Sequence, residues 1–196
     1  MKKEIKRQQR EENILLSLKK LDYLSRSQLQ KLHNLKSARN ASRVLKSMAD
    51  YLSSFRDGES IYYLNQEGRQ RVNSTKILKK TAQARHYIMR NALFIARGRP
   101  ATWENEMEIG VEGKVKVICD ALYTMNKRLH IIEVDHTQKM IKNKDKIKRY
   151  RNLIELNAFE VPPKFLWITT TEFRRKQLQD LNVGLDCSVY TMKDFQ

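Results

Sequence analysis

The segment Leu129-His-Ile-Ile-Glu-Val-Asp135 predicts a short apolar strand that ends in two acidic residues. Strand-like and helix-like segments alternate around it throughout the second half of the chain. In chain order they are strands over 103–111, 114–125 and 129–135, a helix over 137–156, a strand over 164–171, a helix over 172–181 and a strand over 187–191. This order predicts an α/β (α+β) layer with a mixed sheet.

Three acidic side chains lie on the predicted strands around this segment. Glu133 and Asp135 are two residues apart and therefore share one strand face, and Asp120 lies in the preceding strand. If residues 126–128 form a hairpin turn, the three carboxylates converge and can bind Mg²⁺ or Mn²⁺, which prefer oxygen ligands. Such an ion can polarise a phosphoryl oxygen and generate a hydroxide nucleophile. Glu106, on the strand before them, is a candidate for a further ligand.

The same acids have a structural alternative, because a basic helix is predicted directly after them. Carboxylates that lie close together repel each other unless a cation lies between them. Ion pairs with the helix could provide that cation, and the candidate lysines are Lys139, Lys142 and Lys146. The spacing alone leaves both the metal site and the ion pairs open.

The composition indicates a polyanionic partner. The 196 residues include 39 Lys and Arg against 22 Asp and Glu, which gives a net charge of +17 and a pI near 9.9. This charge favours a nucleic acid, because neutralising phosphates with Lys and Arg releases counterions. A merely soluble basic protein and a ribosome-associated protein are the alternatives. Residues 1–80 hold 19 basic and eight acidic residues, so the first part is the denser candidate for binding phosphate.

The sequence contains no sign of a membrane partner. No apolar run approaches the ~18 residues of a transmembrane helix, and the charged N-terminus lacks the apolar stretch of a signal peptide. Cys119 and Cys187 are the only cysteines and are too far apart to indicate a zinc motif or a disulfide framework. We therefore expect a cytoplasmic protein in a reducing environment.

The first 75 residues predict three helices followed by a two-stranded hairpin. Apolar residues at helical spacing predict helices from about Glu4, over 28–33 and over 38–52. Asp57-Gly58 predicts the turn of the hairpin. This is the element order of a winged helix-turn-helix, in which the third helix enters the major groove of double-stranded DNA.

The polar face of the predicted third helix carries residue types that can contact the edges of DNA bases. Arg and Asn are able to pair with the edges of guanine and adenine. The candidate DNA-binding residues are Lys36, Arg39, Asn40, Arg43 and Lys46, with Arg56 of the hairpin as a contact to the DNA backbone or minor groove. The alternative is a solvated charged face on a small helical bundle.

A longer helix is predicted over 76–98, where Gly98-Arg-Pro100 ends it. This helix either links the two halves of the chain or begins the second one. The expected domains are therefore 1–75, for binding DNA, and 76–196, for the acid-bearing sheet.

Three segments together resemble the replication-relaxation family. They are Val117-Ile-Cys-Asp-Ala-Leu-Tyr123, the ten residues from Leu129 to Gln138, and Lys144-Asp-Lys-Ile-Lys-Arg-Tyr150. Members of that family join an N-terminal winged helix to a second domain, and the family is similar to the C class of plasmid mobilisation relaxases. The resemblance therefore implies a restriction-endonuclease-like, PD-(D/E)XK-type mixed-sheet domain over 76–196.

The resemblance also implies roles for individual residues. Asp120 matches the first metal-binding aspartate, Glu133 matches the glutamate, and Asp135 matches the acid that follows it. Ordinary restriction-type nucleases carry a water-activating lysine at the position of Asp135. That catalytic role would pass to Lys139 or Lys146 on the following helix, or cleavage would be lost.

The resemblance covers two more residues, and it implies a function. Gln138 matches the amide residue of the motif, and Tyr150 ends its Lys-x-x-x-Tyr helix, where it could attack a phosphate or simply pack. We expect a DNA-binding protein of a plasmid, phage or integrative element that recognises an origin or transfer site and could nick DNA. The alternative is a non-catalytic transcriptional regulator or replication accessory factor. Its second domain would then mediate formation of a homodimer or bind other replication and transfer proteins.

Overall fold

The structure is a computed structural model that describes residues 2–195. The chain forms two compact units, Met1–Asn91 and Ala92–Gln196, which we call the N-terminal and C-terminal units. Helices and mixed sheets together make an α+β fold, as predicted. Within the described range, no helix has the length and apolar character needed to cross a membrane.

The N-terminal unit consists of helices around a small sheet. Its elements are α1 (Lys2–Leu21), β1 (Leu24–Ser25), α2 (Arg26–Leu32), α3 (Ala38–Lys46), β2 (Leu52–Asp57), β3 (Glu59–Leu64), α4 (Gln66–Arg71) and the first part of α5 (Ala84–Ala96). The strands pair antiparallel in the order β1-β3-β2. The predicted order of three helices and a hairpin is therefore present.

Helix α3 is shorter than the predicted helix over 38–52. It begins after Ser37, whose side chain accepts a hydrogen bond from the backbone N–H of Asn40. It ends at Lys46, because Leu52 is already the first residue of β2 and pairs with Leu64 of β3. The extended pairing of the hairpin thus replaces the last turns of the predicted helix.

The helix predicted over 76–98 also begins later, at Ala84. The segment before it is held against the N-terminal unit, since the Tyr23 hydroxyl donates a hydrogen bond to the carbonyl oxygen of Lys79 at 2.7 Å. Ala84 itself is buried beside Tyr23. The division between the two compact units falls after Asn91.

The C-terminal unit contains a mixed five-stranded sheet. Its elements after α5 are β4 (Glu104–Asn105), β5 (Glu108–Val111), β6 (Val115–Ile118), β7 (Ala121–Met125), β8 (Arg128–Asp135), α6 (Met140–Glu155), β9 (Lys164–Thr169), α7 (Glu172–Leu181), β10 (Cys187–Thr191) and a 3-10 helix (Met192–Phe195). The strand order is β10-β9-β8-β7-β4. Strands β8, β9 and β10 run parallel, whereas β7 and β4 are antiparallel to their neighbours.

Two strands that we predicted as continuous are broken. The strand over 103–111 divides into β4 and β5 at Glu106, which has a positive φ of 56°. The strand over 114–125 divides into β6 and β7 at Asp120. The backbone N–H of Glu106 donates to the carbonyl oxygen of Asp120 at 3.1 Å, so the two breaks face each other. As a result, β5 and β6 leave the main sheet and form a separate hairpin.

Helix α6 covers one face of the five-stranded sheet. Its residues Ile147, Tyr150 and Leu153 recur at a spacing of three and are buried in a cluster with Ile131 of β8 and Trp167 of β9. This packing places the middle of α6 over the end of β8, where the predicted acids lie.

Candidate functional site

The predicted DNA-reading face of α3 is largely exposed. Four basic residues predicted on this face are solvent-exposed: Lys36, which precedes the helix and its N-cap Ser37, and Arg39, Arg43 and Lys46 within the helix. Asn40 is half-buried instead: its Nδ2 donates to the carbonyl oxygen of Leu35 at 2.9 Å, and its Oδ1 accepts from Arg43 at 2.8 Å. The Asn40 amide thus supports the start of the helix. Arg56 is exposed on β2.

Glu133 and Asp135 lie on the same face of β8 and are fully buried, each with 0% exposure. Glu133 accepts one hydrogen bond from the Lys146 ammonium group and another from the Tyr150 hydroxyl. Both donors belong to α6 and are four residues apart, so they lie on one side of that helix. The structure therefore brings three of the predicted residues together: Glu133, Lys146 and Tyr150.

The burial of Glu133 dominates its electrostatics. Burial raises the pKa of this carboxyl to about 8, and the nearby Asp120 carboxylate adds to that increase, while Lys146 and Tyr150 oppose it. Burial lowers the pKa of Lys146, but Glu133 and Asp120 outweigh that effect and hold it above its usual value. Lys146 therefore carries its positive charge next to two acids.

Asp120 reaches this group from the break between β6 and β7. Its Oδ2 atom accepts a hydrogen bond from the backbone N–H of Val134 at 2.7 Å, which fixes the carboxylate beside β8. Its own backbone N–H donates to the carbonyl oxygen of Ile132 at 3.2 Å. Asp120 influences the pKa of Glu133 and of Lys146, so all three groups interact electrostatically.

Asp135 has a different set of partners. Its two oxygen atoms accept hydrogen bonds from Nε and Nη2 of Arg174, each at 2.6 Å, from Thr169 at 2.6 Å and from Asn143 at 2.7 Å. Burial pushes the pKa of Asp135 upward, but the hydrogen bonds from Arg174, Thr169 and Asn143 together lower it below the usual value. Asp135 is thus an ionised carboxylate with both oxygens in use.

Three further predicted residues lie outside the contacts of Glu133. Lys139 is exposed and precedes the first turn of α6. Gln138 donates to the side-chain oxygen of Asn143, and its carbonyl oxygen accepts from Arg174 at 2.8 Å, so it belongs to the Asp135 cluster. Glu106 is exposed at the strand break.

The three acids Asp120, Glu133 and Asp135 can be compared with the ligands that a divalent cation requires. Mg²⁺ is commonly held by one or two carboxylates and keeps several waters. A divalent ion at Asp120 and Glu133 would have to replace the hydrogen bonds that Lys146 and Tyr150 donate to the two oxygens of Glu133. Asp135 does not fit as a third ligand, because Arg174 holds both of its oxygens. Over residues 2–195, no three His, Cys, Asp or Glu side chains are placed to hold a metal ion together.

The prediction from sequence missed the partners of Asp135, which are Asn143, Thr169 and Arg174. Asn143 could have been found, because it lies seven residues before Tyr150 on the same side of α6. Thr169 is the register partner of Asp135 in the parallel pair of β8 and β9. Only the strand order reveals that pairing. Arg174 lies on α7, and no local pattern marks it.

Comparisons with known proteins place the chain in a family. Solved structures that match this chain include protein VC1899 from Vibrio cholerae (TM-score 0.41, 15% identity, 80% of this chain and 40% of that one). Another is Can2 from Sulfobacillus thermosulfidooxidans in complex with cyclic tetra-adenylate (TM-score 0.37, 13% identity, 76% and 41%). The chain thus spans about two-fifths of the length of these proteins. No curated protein sequence matches it.

The family model described as replication-relaxation matches residues 15–164, most of the chain, and this chain therefore belongs to the replication-relaxation family.

Proposed function

We propose that this protein binds double-stranded DNA of a mobile genetic element, at an origin or transfer site, and nicks one strand with the help of Mg²⁺ or Mn²⁺. The observation that carries the proposal is the grouping of Asp120, Glu133 and Lys146 at the end of β8. Two carboxylates beside a lysine are the side chains that a metal-dependent phosphodiesterase needs.

The N-terminal unit supports the DNA-binding part of the proposal. Its three helices and hairpin follow the order of a winged helix-turn-helix, in which α3 would enter the major groove. The exposed Arg39 and Arg43 side chains would contact guanine edges or phosphates. Asn40 is less suited to read adenine, because its amide is engaged with Leu35 and Arg43.

The C-terminal unit supports the chemical part. A strand that ends in buried acids, flanked by an antiparallel strand and a parallel one, is consistent with a restriction-endonuclease-like core. A divalent ion bound by Asp120 and Glu133 would polarise a phosphoryl oxygen and lower the pKa of a bound water. Lys146 would stabilise negative charge that develops on the phosphate. Tyr150 holds Glu133 in place and acts as a positioning residue rather than as a nucleophile, because its hydroxyl is buried against that carboxyl.

The test is a nicking assay on a supercoiled plasmid that carries the native origin or transfer sequence. We expect the wild type to form open circles with Mg²⁺ or Mn²⁺, and D120N to lose more than about 10-fold in rate, as metal-site residues do. The matched control is D180N, which changes an exposed acid on α7. No nicking by the wild type, or equal rates for D120N and the wild type, would contradict the enzymatic proposal.

A second candidate function is a non-catalytic replication accessory factor or transcriptional regulator. It is favoured by the environment of Asp135, where a nuclease lysine is replaced by an acid that is fully paired with Arg174. Titration calorimetry with Mn²⁺ separates the two candidates. Binding that disappears in both D120N and E133Q supports the metal-dependent enzyme, whereas a wild type that binds DNA but no Mn²⁺ supports the accessory factor.

A further inference from the structure

A cleft of about 490 Å³ opens beside Lys146 in the C-terminal unit. It is lined by residues of the β5–β6 hairpin on one side and of α6 on the other. Its charged lining comprises four cations and two acids: Lys116, Lys142, Lys146, Arg149, Glu108 and Asp145. The lining is therefore basic, and one of its cations is the lysine that contacts Glu133.

The pattern of α6 explains why basic residues collect in this cleft. Lys142, Lys146 and Arg149 follow a spacing of four and three residues, so they share one side of the helix. The adjacent stripe of Asn143 and Ile147 is buried in the unit. The helix thus uses one side for packing and the neighbouring side to present cations to the cleft.

The hairpin adds a cation from the opposite side. Lys116 is paired in register with Gly110, and its ammonium group lies 2.9 Å from Glu108. A Cβ atom at position 110 would lie 2.9 Å from Cγ of Lys116 and equally close to the carbonyl oxygen of Val115, so the glycine makes room for the stem of this lysine. Ile118, with 58% of its surface exposed, adds an apolar side chain to the lining.

We propose that this cleft binds the sugar–phosphate backbone of one DNA strand and leads it to Lys146, the lysine that contacts Glu133. The inference rests on the proposed function, since it names how the DNA reaches that site. Cationic grooves that follow the backbone are the usual means of holding a single strand. The volume is in the range of pockets that hold one small molecule, so the cleft suits a short piece of one strand better than a whole duplex. Ile118 would contact a sugar or base.

The test uses the full chain and a fluorescent single-stranded oligonucleotide at several salt concentrations. We expect the variant K116Q/K142Q/R149Q to bind more weakly than the wild type. The slope of log K against log[salt] should fall by about 2, because two to three phosphate contacts are lost. The matched control K148Q/K176Q/K193Q removes three exposed charges of the same unit that do not line the cleft, and its slope should change by less than about 1.

Three comparisons make the outcome decisive. The charge-conserving variant K116R/K142R/R149K should keep the wild-type slope, which shows that charge is responsible and that the unit is folded. Equal slopes for both glutamine triple variants would contradict the proposal that this cleft binds the DNA strand, while leaving the proposed function intact. A wild type that binds neither this oligonucleotide nor the duplex of its native origin would overturn the proposed function together with the cleft.

Discussion

Two acids of the same strand, two residues apart and equally buried, have opposite electrostatic environments. Glu133 has a raised pKa, because burial outweighs Lys146 and Tyr150. Asp135 has a lowered pKa, because four hydrogen bonds, two of them from Arg174, outweigh burial. The difference indicates two separate roles: Glu133 can gain or lose a proton near neutral pH, while Asp135 is a fixed structural ion.

The largest expected effect comes from removing the fixed ion. In D135A, Arg174 loses its partner in a largely buried pair, so we expect the free energy of unfolding to fall by about 3–5 kcal/mol. Urea denaturation measures this change. The control D180N alters an exposed acid and should stay within about 0.5 kcal/mol of the wild type. A similar small loss for D135A would show that Asp135 is not a structural ion.

The second effect concerns the pH dependence of stability. Native Glu133 keeps its proton up to a pH of about 8, whereas the unfolded chain releases it near 4.5. The native state therefore binds more protons in this window, and its stability falls as the pH rises, by about 1.4 kcal/mol per pH unit at most. E133Q cannot ionise.

The difference in unfolding free energy between the wild type and E133Q should consequently change by about 2–3 kcal/mol from pH 5.5 to 7.5. Urea denaturation at both pH values gives that difference directly. A value that stays constant with pH would mean that Glu133 ionises as it does in water, and the contrast with Asp135 would disappear.

A smaller effect is expected from Tyr150→Phe. This variant removes one of the two hydrogen bonds to Glu133, which is protonated at pH 7, and should cost about 1.5 kcal/mol, the upper end of the range for a hydrogen bond between uncharged groups. Because that hydrogen bond opposes the effect of burial, its loss should raise the pKa of Glu133 further. Thermal unfolding at pH 7, with Y62F as the control, measures the cost. If Tyr150 were a nucleophile, Y150F would abolish nicking outright instead of reducing it in line with stability.

The smallest effect is expected from Thr169→Val, which keeps the shape of the side chain and removes one of the donors to Asp135. We expect a loss of about 1 kcal/mol at pH 7. The pKa of Asp135 should move up toward its ordinary 3.8, so less stability should be lost on acidification than in the wild type, and the difference in unfolding free energy between the two proteins should shrink as the pH falls below about 4. Urea denaturation at pH 7 and pH 3 would measure this; a difference that does not change with pH would mean that Thr169 has no effect on the pKa of Asp135.

The sequence allowed part of this site to be predicted. The two-residue spacing of Glu133 and Asp135 placed both on one face of a strand, and the helical pattern placed Lys146 and Tyr150 behind them. The roles of Glu133 and Asp135 were harder to predict, because they depend on which strand lies next to β8. Thr169 reaches Asp135 through the parallel pairing of β8 with β9, and Arg174 reaches it through the position of α7. No local sequence pattern indicates either arrangement.

The same limit applied to the fold. Alternating patterns predicted the strands and a mixed sheet, but not the breaks at Glu106 and Asp120, where a hairpin leaves the main sheet. The breaks depend on hydrogen bonds between segments that are distant in sequence. Similarly, the pattern of residues 76–83 is compatible with a helix, whereas in the structure this segment is not helical and is held by the hydrogen bond from Tyr23 to Lys79 and by the ion pair of Lys76 with Asp22.

The position of Trp167 has a practical consequence. This indole is fully buried and stands opposite Glu133 in the register of β8 and β9. The chain contains only two tryptophans, so W103F would leave a single tryptophan, next to the titrating carboxyl. Its emission would report directly, and without any label, when the neighbouring group gains or loses its charge.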